Sequence, residues 1–327
     1  MAILPKIART LLSFALLTLI GFGTALAQNY PIKPIKFIVP YPPGGASDVT
    51  ARILGQKLME AYGQPVVIEN RTGANGNIAL AEVAKAAPDG YTILMGNVGP
   101  NAINAGLYKT LPFDPIKSFT PITLVSSVPI VLLVSPTLNV KDAKDLIAYI
   151  RANPGKTSFA SGGNGSATHL TAEMFKSMAG LDTLHIPYKG DAAAMMAIMS
   201  GEVTMAFATI VAAMPQIKSG RVKTIGIASK TRTTSLPDVP TISASGITGF
   251  ESASWGGVLA PAGTPSAIVA SLNREFAQIL RMPDVNEKIS SLGADIIGSN
   301  SAEFNDYLKA EITKWSGVIK SAGVNID

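Results

Sequence analysis

The stretch that decides the fold is Lys36-Phe-Ile-Val-Pro40 followed by Tyr41-Pro-Pro-Gly-Gly-Ala-Ser-Asp48, which leads into a helical pattern from Val49 to Tyr62. An apolar strand thus enters a small-residue loop and then a helix. The same order returns far downstream, where Thr157-Ser-Phe-Ala160 runs through Ser161-Gly-Gly-Asn-Gly-Ser166 into a helical pattern ending near Met178. A helix start carries unpaired backbone N–H groups and roughly half a positive charge, so it suits an anion. Glycines let the backbone approach a ligand closely, and Ser47 and Ser166 read as N-caps. Two such sites in separate halves of one chain suggest two lobes facing each other across an anionic ligand. That is a binding arrangement more than a catalytic one.

Working outward, Gln64-Pro-Val-Val-Ile-Glu69 reads as a second strand and Ile78 to Ala87 as a helix stopped by Pro88-Asp-Gly90. Tyr91-Thr-Ile-Leu-Met95 is the next strand. Strands alternating with short helices indicate an α/β, parallel, doubly wound sheet. Pro121 to Val125 and Ile130 to Val134 read as two strands around a crossover near Ser126 to Pro129. A second α/β series follows, with helices over Lys141–Asn153 and Ala192–Ser200 and strands over Thr183–Pro187, Val203–Phe207 and Lys223–Ala228. Thr248 to Pro261 is the candidate return crossing. Ser266–Arg281 and Ala302–Lys320 read as helices folding back onto the first lobe. The expected division is a signal peptide over 1–27, lobe 1 over 28–128 and 251–327, and lobe 2 over 129–250.

The N-terminal expectation rests on Lys6 and Arg9, the apolar run Leu11 to Phe22 and the small residues Ala25-Leu-Ala27, which place cleavage before Gln28. The run is interrupted by Ser13, Thr18 and Gly21, so it is a poor membrane anchor, which needs about 20 strongly apolar residues. The chain has no cysteine, which excludes disulfides, thiolate metal sites, a Cys nucleophile and a lipid-modified N-terminal Cys. An exported protein without a tether makes most sense in a periplasm. The formal charge of +5 becomes +3 when Lys6 and Arg9 are removed, and no basic run interleaves with aromatics, so nucleic acid is not expected as a partner.

Enzyme signals are poor. No Gly-x-Ser-x-Gly elbow occurs, and Gly162-Gly-Asn-Gly-Ser-Ala does not complete a dinucleotide fingerprint. The two histidines, His169 and His185, are too far apart in sequence for a local helical metal pair. No catalytic residue, metal or cofactor is therefore expected. A hydrolase using Ser166 and His169 is the weakest of the alternatives.

The chain resembles the Bug (TctC-like) family, the extracytoplasmic receptors of tripartite tricarboxylate transporters. The resemblance is carried by Val39-Pro-Tyr-Pro-Pro-Gly-Gly-Ala-Ser-Asp48, Val67-Ile-Glu-Asn-Arg-Thr-Gly-Ala74, Ala87-Pro-Asp-Gly-Tyr-Thr-Ile93, Gly163-Asn-Gly-Ser-Ala-Thr-His-Leu170, Ile186-Pro-Tyr-Lys-Gly190 and Leu259-Ala-Pro-Ala-Gly-Thr-Pro265. It implies a two-lobed type II periplasmic-binding-protein fold, a Venus flytrap with a hinged ligand cleft. It also implies capture of a small organic acid, a mono- or dicarboxylate or an aromatic acid, by a monomer that delivers it to integral-membrane permease subunits. A sensor presenting its bound acid to a membrane signalling partner would look the same. The chain departs from the family pattern at Ala193 and Ala197, where Pro and Asp are usual, and at Thr204 and Ala208, where Asp is usual. The missing carboxylate at Ala208 predicts weaker binding of amino acids than of their deaminated analogues.

The candidate ligand residues of the first lobe are Tyr41, Gly44, Gly45, Ser47 and Asn97, with Asn101 beside them; Asp48 reads as a helix-start residue. Those of the second are Ser161, Gly163, Asn164, Ser166 and Thr168, joined through the resemblance by Tyr188, Lys189, Gly190 and Thr209. Neither Gly-rich loop contains Arg or Lys, so neutral donors with ordered water are expected to hold the carboxylate. His169 reads as a packed or supporting residue, and Lys189 as either a cleft cation or half of a surface ion pair. The cluster of Met195, Met196, Met199 and Met205 reads as core filler. Trp255, beside Gly256-Gly257, either lines the cleft or packs near the crossing.

Overall fold

Ile35, Phe37, Ile38 and Val39 are all buried, as a strand covered by helices on both faces must be. The computed structural model describes residues 30–324 apart from residue 234; the expected signal peptide and its cleavage lie outside the described residues. The first α/β unit comprises β1 (Ile35–Val39), α1 (Ala46–Tyr62), β2 (Val66–Asn70), α2 (Asn77–Ala84) and β3 (Thr92–Asn97), with β1 parallel to both β2 and β3. A π-turn over Gly99–Ile103 and the short α3 (Asn104–Leu107) follow, both unanticipated from the sequence. They lead into β4 (Phe119–Val134).

The second unit comprises α4 (Ala143–Ala152), β5 (Ser158–Ser161), α5 (Ala167–Ala179), β6 (Leu184–Pro187), α6 (Asp191–Ser200), β7 (Met205–Thr209), α7 (Ile210–Lys218) and β8 (Lys223–Ile227). Here β5 is parallel to β6 and β7, while β7 and β8 run antiparallel on either side of β4. The chain returns through β9 (Ala253–Pro261), α8 (Ser266–Leu280), α9 (Pro283–Ser291), β10 (Asp295–Ile296) and α10 (Ser301–Ala322). The molecule is a two-lobed α/β protein.

Two expectations are corrected. The two strands expected at 121–125 and 130–134 are a single β4 of 16 residues. The expected crossover ends where the strand changes partners: Pro129 is opposite Ala253 of β9, and Ile130 is opposite Thr209 of β7. A residue without an N–H is tolerated where the ladder hands over from one neighbour to the next. Helix α7 was missed because Pro215 lies inside it, and proline in a short apolar run reads as a breaker.

Each sheet is packed on both faces. In the first lobe, Phe37, Leu54 and Phe276 share one cluster, and Ile38, Leu94, Trp255 and Phe304 share the other. In the second, Phe159, Phe175, Phe207 and Phe250 fill one side, and Val131, Met195 and Ile198 the other. Met195 and Met205 are core residues, whereas Met196 is exposed. The lobes also touch, because Leu170 of α5 packs into the Trp255–Phe304 cluster and Val318 of α10 packs against the Phe175 cluster. Helix α10 sits close to β9 because Gly257 has no side chain: a Cβ there would run into the Phe304 ring. Where α10 passes Trp255, the buried Glu311 Oε2 accepts hydrogen bonds from Trp255 Nε1 and Trp315 Nε1, both at 2.9 Å, and Oε1 pairs with Lys314. Trp255 is therefore a packed residue beside the crossing.

Candidate functional site

Ligands in open α/β sheets bind beyond the carboxyl ends of the parallel strands. Most of the candidate residues gather there: Tyr41 follows β1, Asn97 ends β3, Ser161 ends β5, Tyr188 follows β6 and Thr209 ends β7. The two halves meet along β4. Ser126 and Val128 line one small cavity with Ser47, Asn97, Ser254 and Trp255, and Ile130, two residues further on, is opposite Thr209. That cavity measures about 60 Å³, the volume of about two waters in liquid. A wider hollow of about 600 Å³ between α7 and the turn after α9 is lined mainly by apolar side chains with Lys218 and serines. It gathers none of the candidate residues.

In the first lobe the helix start is built differently from the sequence reading. Helix α1 begins at Ala46 with Gly45 as its N-cap, so Ser47 is inside the first turn and is not a cap. No side chain caps this helix start; Asp48 instead ties the preceding loop to the helix, because its carboxylate accepts the Gly44 N–H at 2.9 Å and hydrogen bonds from Arg52 Nε at 3.0 Å and Asn70 Nδ2 at 2.9 Å. Burial works against its charge, but those hydrogen bonds outweigh it and hold Asp48 below the usual carboxylate range. Ser47, in the first turn, lines the cavity. Tyr41 donates its hydroxyl to Asn97 Oδ1 at 3.3 Å, and burial pushes its phenol well above the ordinary value. Asn97 is braced from beneath, its N–H donating to Oδ1 of the fully buried Asn101 at 3.0 Å. Gly44 and Gly45 are exposed at the turn.

In the second lobe Ser166 is the N-cap of α5, accepting the His169 N–H at 3.1 Å. Ser166→Ala is expected to cost about 1 kcal/mol of stability, measured by urea unfolding; no change would mean the cap contributes nothing. Thr168 is buried and accepts the Gly162 N–H at 3.0 Å. Asn164 is exposed, and Gly163 bends the loop at φ 126°. Like Thr168, three other candidates are not placed as direct donors. Ser161 is fully buried, and its hydroxyl shares a 2.7 Å hydrogen bond with His185 Nε2 and accepts the Gly163 N–H at 3.2 Å. Tyr188 spends its hydroxyl on Glu202 at 2.8 Å while its ring packs on the second-lobe core. Thr209 gives both its N–H, at 3.2 Å, and its hydroxyl, at 3.0 Å, to Asp191 Oδ2. Lys189 and Gly190 are exposed, and no ion pair to Lys189 forms among the described residues.

Behind the Ser161–Ser166 loop lies a contact the sequence did not reveal. The rings of His169 and His185 stack at 3.9 Å with 11° between their planes, and His185 stacks on Phe159 at 4.7 Å. His169 Nδ1 accepts the Gly165 N–H at 3.1 Å, which pins the loop. Burial, with smaller effects from His185 and Lys176, lowers His169 to about 3; burial and then Lys176 lower His185 to about 4. Both rings are thus neutral props near neutral pH. For the hydrolase alternative, Ser166 Oγ accepts the His169 backbone N–H and the His169 ring accepts the Gly165 N–H, so no hydrogen bond joins the Ser166 hydroxyl to the His169 ring.

The site named by Ala208 lies inside the fold. Ala208 is fully buried opposite Val131, so a side chain there serves the core. The neutral second-lobe site acquires a carboxylate from elsewhere, from Asp191 at the first position of α6. Its only sequence signal was its place directly after Tyr188-Lys-Gly190.

Residues 50–324 match the profile of the family described as the tripartite tricarboxylate transporter family receptor, TctC. The chain belongs to that receptor family. Bordetella pertussis BugT is 36% identical over 301 residues, spanning 92% of this chain and 92% of BugT. The solved structure of R. palustris Rpa4515 with adipate is similar at a TM-score of 0.76 and 36% identity, covering 91% of this receptor and 100% of that chain. MatC from Rhodopseudomonas palustris with bound malate is similar at 0.72 and 32% identity, covering 89% and 100%. TctC receptors are solute-binding proteins, not an enzyme family. No helix among the described residues of this receptor is long and apolar enough to cross a membrane.

Proposed function

We propose that this receptor works in the periplasm, capturing a small organic carboxylate between its lobes and delivering it to membrane permease subunits. The observation that carries the reading is that the α1 start and Asn97 follow the carboxyl ends of β1 and β3, and the capped α5 start follows that of β5, the ends at which open α/β sheets take ligands. Two helix starts supply N–H groups and positive potential for an anion without Arg or Lys in either loop. The adipate and malate of Rpa4515 and MatC support a carboxylate as cargo. We assign Tyr41, Gly44, Gly45, Ser47 and Asn97 to ligand contact from the first lobe, and Gly163, Asn164, Ser166 and the exposed Lys189 and Gly190 to contact from the second. Ser161, Thr168, Tyr188 and Thr209 act behind them. We place the lobes at 28–128 with 251–327 and at 129–250, a division supported by the change of strand partners after Pro129.

A ligand that binds the folded state alone stabilises it by RT ln(1 + [L]/Kd), about 2.7 kcal/mol at a hundredfold excess over Kd. A melting screen of linear and aromatic organic acids is therefore expected to find a stabiliser that is recovered chemically unchanged. Turnover of the hit would favour an enzyme, and a screen in which esters stabilise as well as free acids would sink the carboxylate assignment.

A further inference from the structure

Asp191 stands where the neutral half of the cleft was expected. It opens α6 at the carboxyl end of β6, beside the starts of α5 and α7. Its Oδ2 accepts both Thr209 donors, and its Oδ1 lies 3.5 Å from the Thr168 hydroxyl. The carboxylate thus consumes donors that a ligand anion would otherwise have used.

Its placement is built into the neighbouring loop. Gly162 has no positive φ and needs no glycine for its backbone, yet a Cβ there would stand 2.6 Å from Asp191 Oδ1 and 3.3 Å from Thr168 Oγ1. The absence of a side chain at Gly162 is what admits the Asp191 carboxylate. Among the described residues no cation pairs with Asp191, and the exposed Lys189 two residues earlier makes no ion pair. A carboxylate offers about four lone-pair directions, and here Oδ1 receives a single long contact, so it retains accepting capacity. Asp191 is also tied to the strand both lobes share, because its partner Thr209 is opposite Ile130, two residues from the cavity-lining Val128.

We propose that Asp191 determines ligand choice at the second-lobe end of the cleft, disfavouring a second carboxylate there and selecting acids whose far end carries a hydroxyl or an ammonium group. This deepens the reading of the cleft as a carboxylate site and rests on it. The first lobe keeps its helix start for the ligand's carboxylate, while the second meets the other end with an acceptor. A dianion places like charges together, whereas a hydroxyl or ammonium donates to Oδ1. The result reverses the expectation drawn from Ala208, since the carboxylate that an ammonium needs comes from α6.

The test uses matched acids of four and six carbons: succinate, 4-hydroxybutyrate and 4-aminobutyrate, then adipate, 6-hydroxyhexanoate and 6-aminohexanoate. Calorimetry on the wild-type receptor is expected to show the donor-ended acid of at least one series binding roughly tenfold or more tighter than the diacid, as one hydrogen bond to a charged group allows. Asp191→Asn and Asp191→Ser, each checked by melting without ligand, are expected to bring that ratio to about one or to reverse it. A wild-type preference for the diacids in both series would overturn the proposal. So would an unchanged ratio in either folded variant. Failure of every acid to bind wild type and variants alike would bring down the carboxylate reading itself, and this proposal with it.

Discussion

Glu311→Ala is expected to destabilise the receptor by about 3–5 kcal/mol, because it removes one buried carboxylate that serves three donors at once. The Trp255 and Trp315 indole N–H groups would lose their shared acceptor, and Lys314 its counter-charge. Glu311→Gln keeps a carbonyl oxygen for the indoles and should cost less. The chain contains two tryptophans, and both are these. Urea unfolding followed by intrinsic fluorescence therefore reads stability and the local environment in one experiment. A loss below about 1 kcal/mol for the alanine variant would show that water or a rearranged neighbour replaces the carboxylate at little cost.

Acidification is expected to weaken the fold well above the range in which ordinary carboxylates titrate. In an unfolded chain the histidines take up protons below their reference value of 6.5, while the folded chain refuses them until about 4 for His185 and about 3 for His169. Stability is therefore full above that reference value and erodes as pH falls through the window, by about 1.4 kcal/mol per pH unit for each ring that stays neutral. Glu173 Oε1 lies 3.8 Å from His169 Nε2 but is held by Lys176 at 3.0 Å, so its charge is already answered. Comparing urea unfolding at about pH 7 and about pH 4.5 checks this, with the double variant His169→Gln, His185→Gln expected to show a flatter profile. A wild-type profile as flat as the variant's would remove the histidine pair from the account.

Much of the architecture was legible because it rests on local chemistry. The apolar runs at Lys36–Pro40 and Tyr91–Met95, each followed by glycine or proline, announce parallel strands and the turns after them. Ser166 caps its helix as its position suggests. What was hidden depends on contacts distant in sequence. Asp48 ties its loop down only because Asn70 and Arg52 converge on it. The stack of His169 on His185 joins α5 to β6, and no spacing in the sequence places those rings face to face. Asp191 looked like one more polar residue after a glycine. Its importance comes from Thr209 reaching it, and from a glycine 29 positions earlier (191 − 162) leaving it room.

Strand β4 is continuous through both lobes, and β9 is hydrogen-bonded along it from Phe119 opposite Pro261 to Pro129 opposite Ala253. The passages between the lobes are therefore the two edges of one ribbon, with no slack segment between them. Any displacement of one lobe against the other is taken up as twist and bend spread over successive rungs, not as free rotation about a few bonds. Such a ribbon behaves as a torsion spring with a rest angle and a restoring torque. The register slips twice along it, between Pro121 and Thr123 and between Leu124 and Ser126, and such irregular rungs bend and twist a strand locally. In mechanical terms the receptor's aperture is elastic, and the work of distorting the ribbon is subtracted from the affinity of whatever the cleft holds.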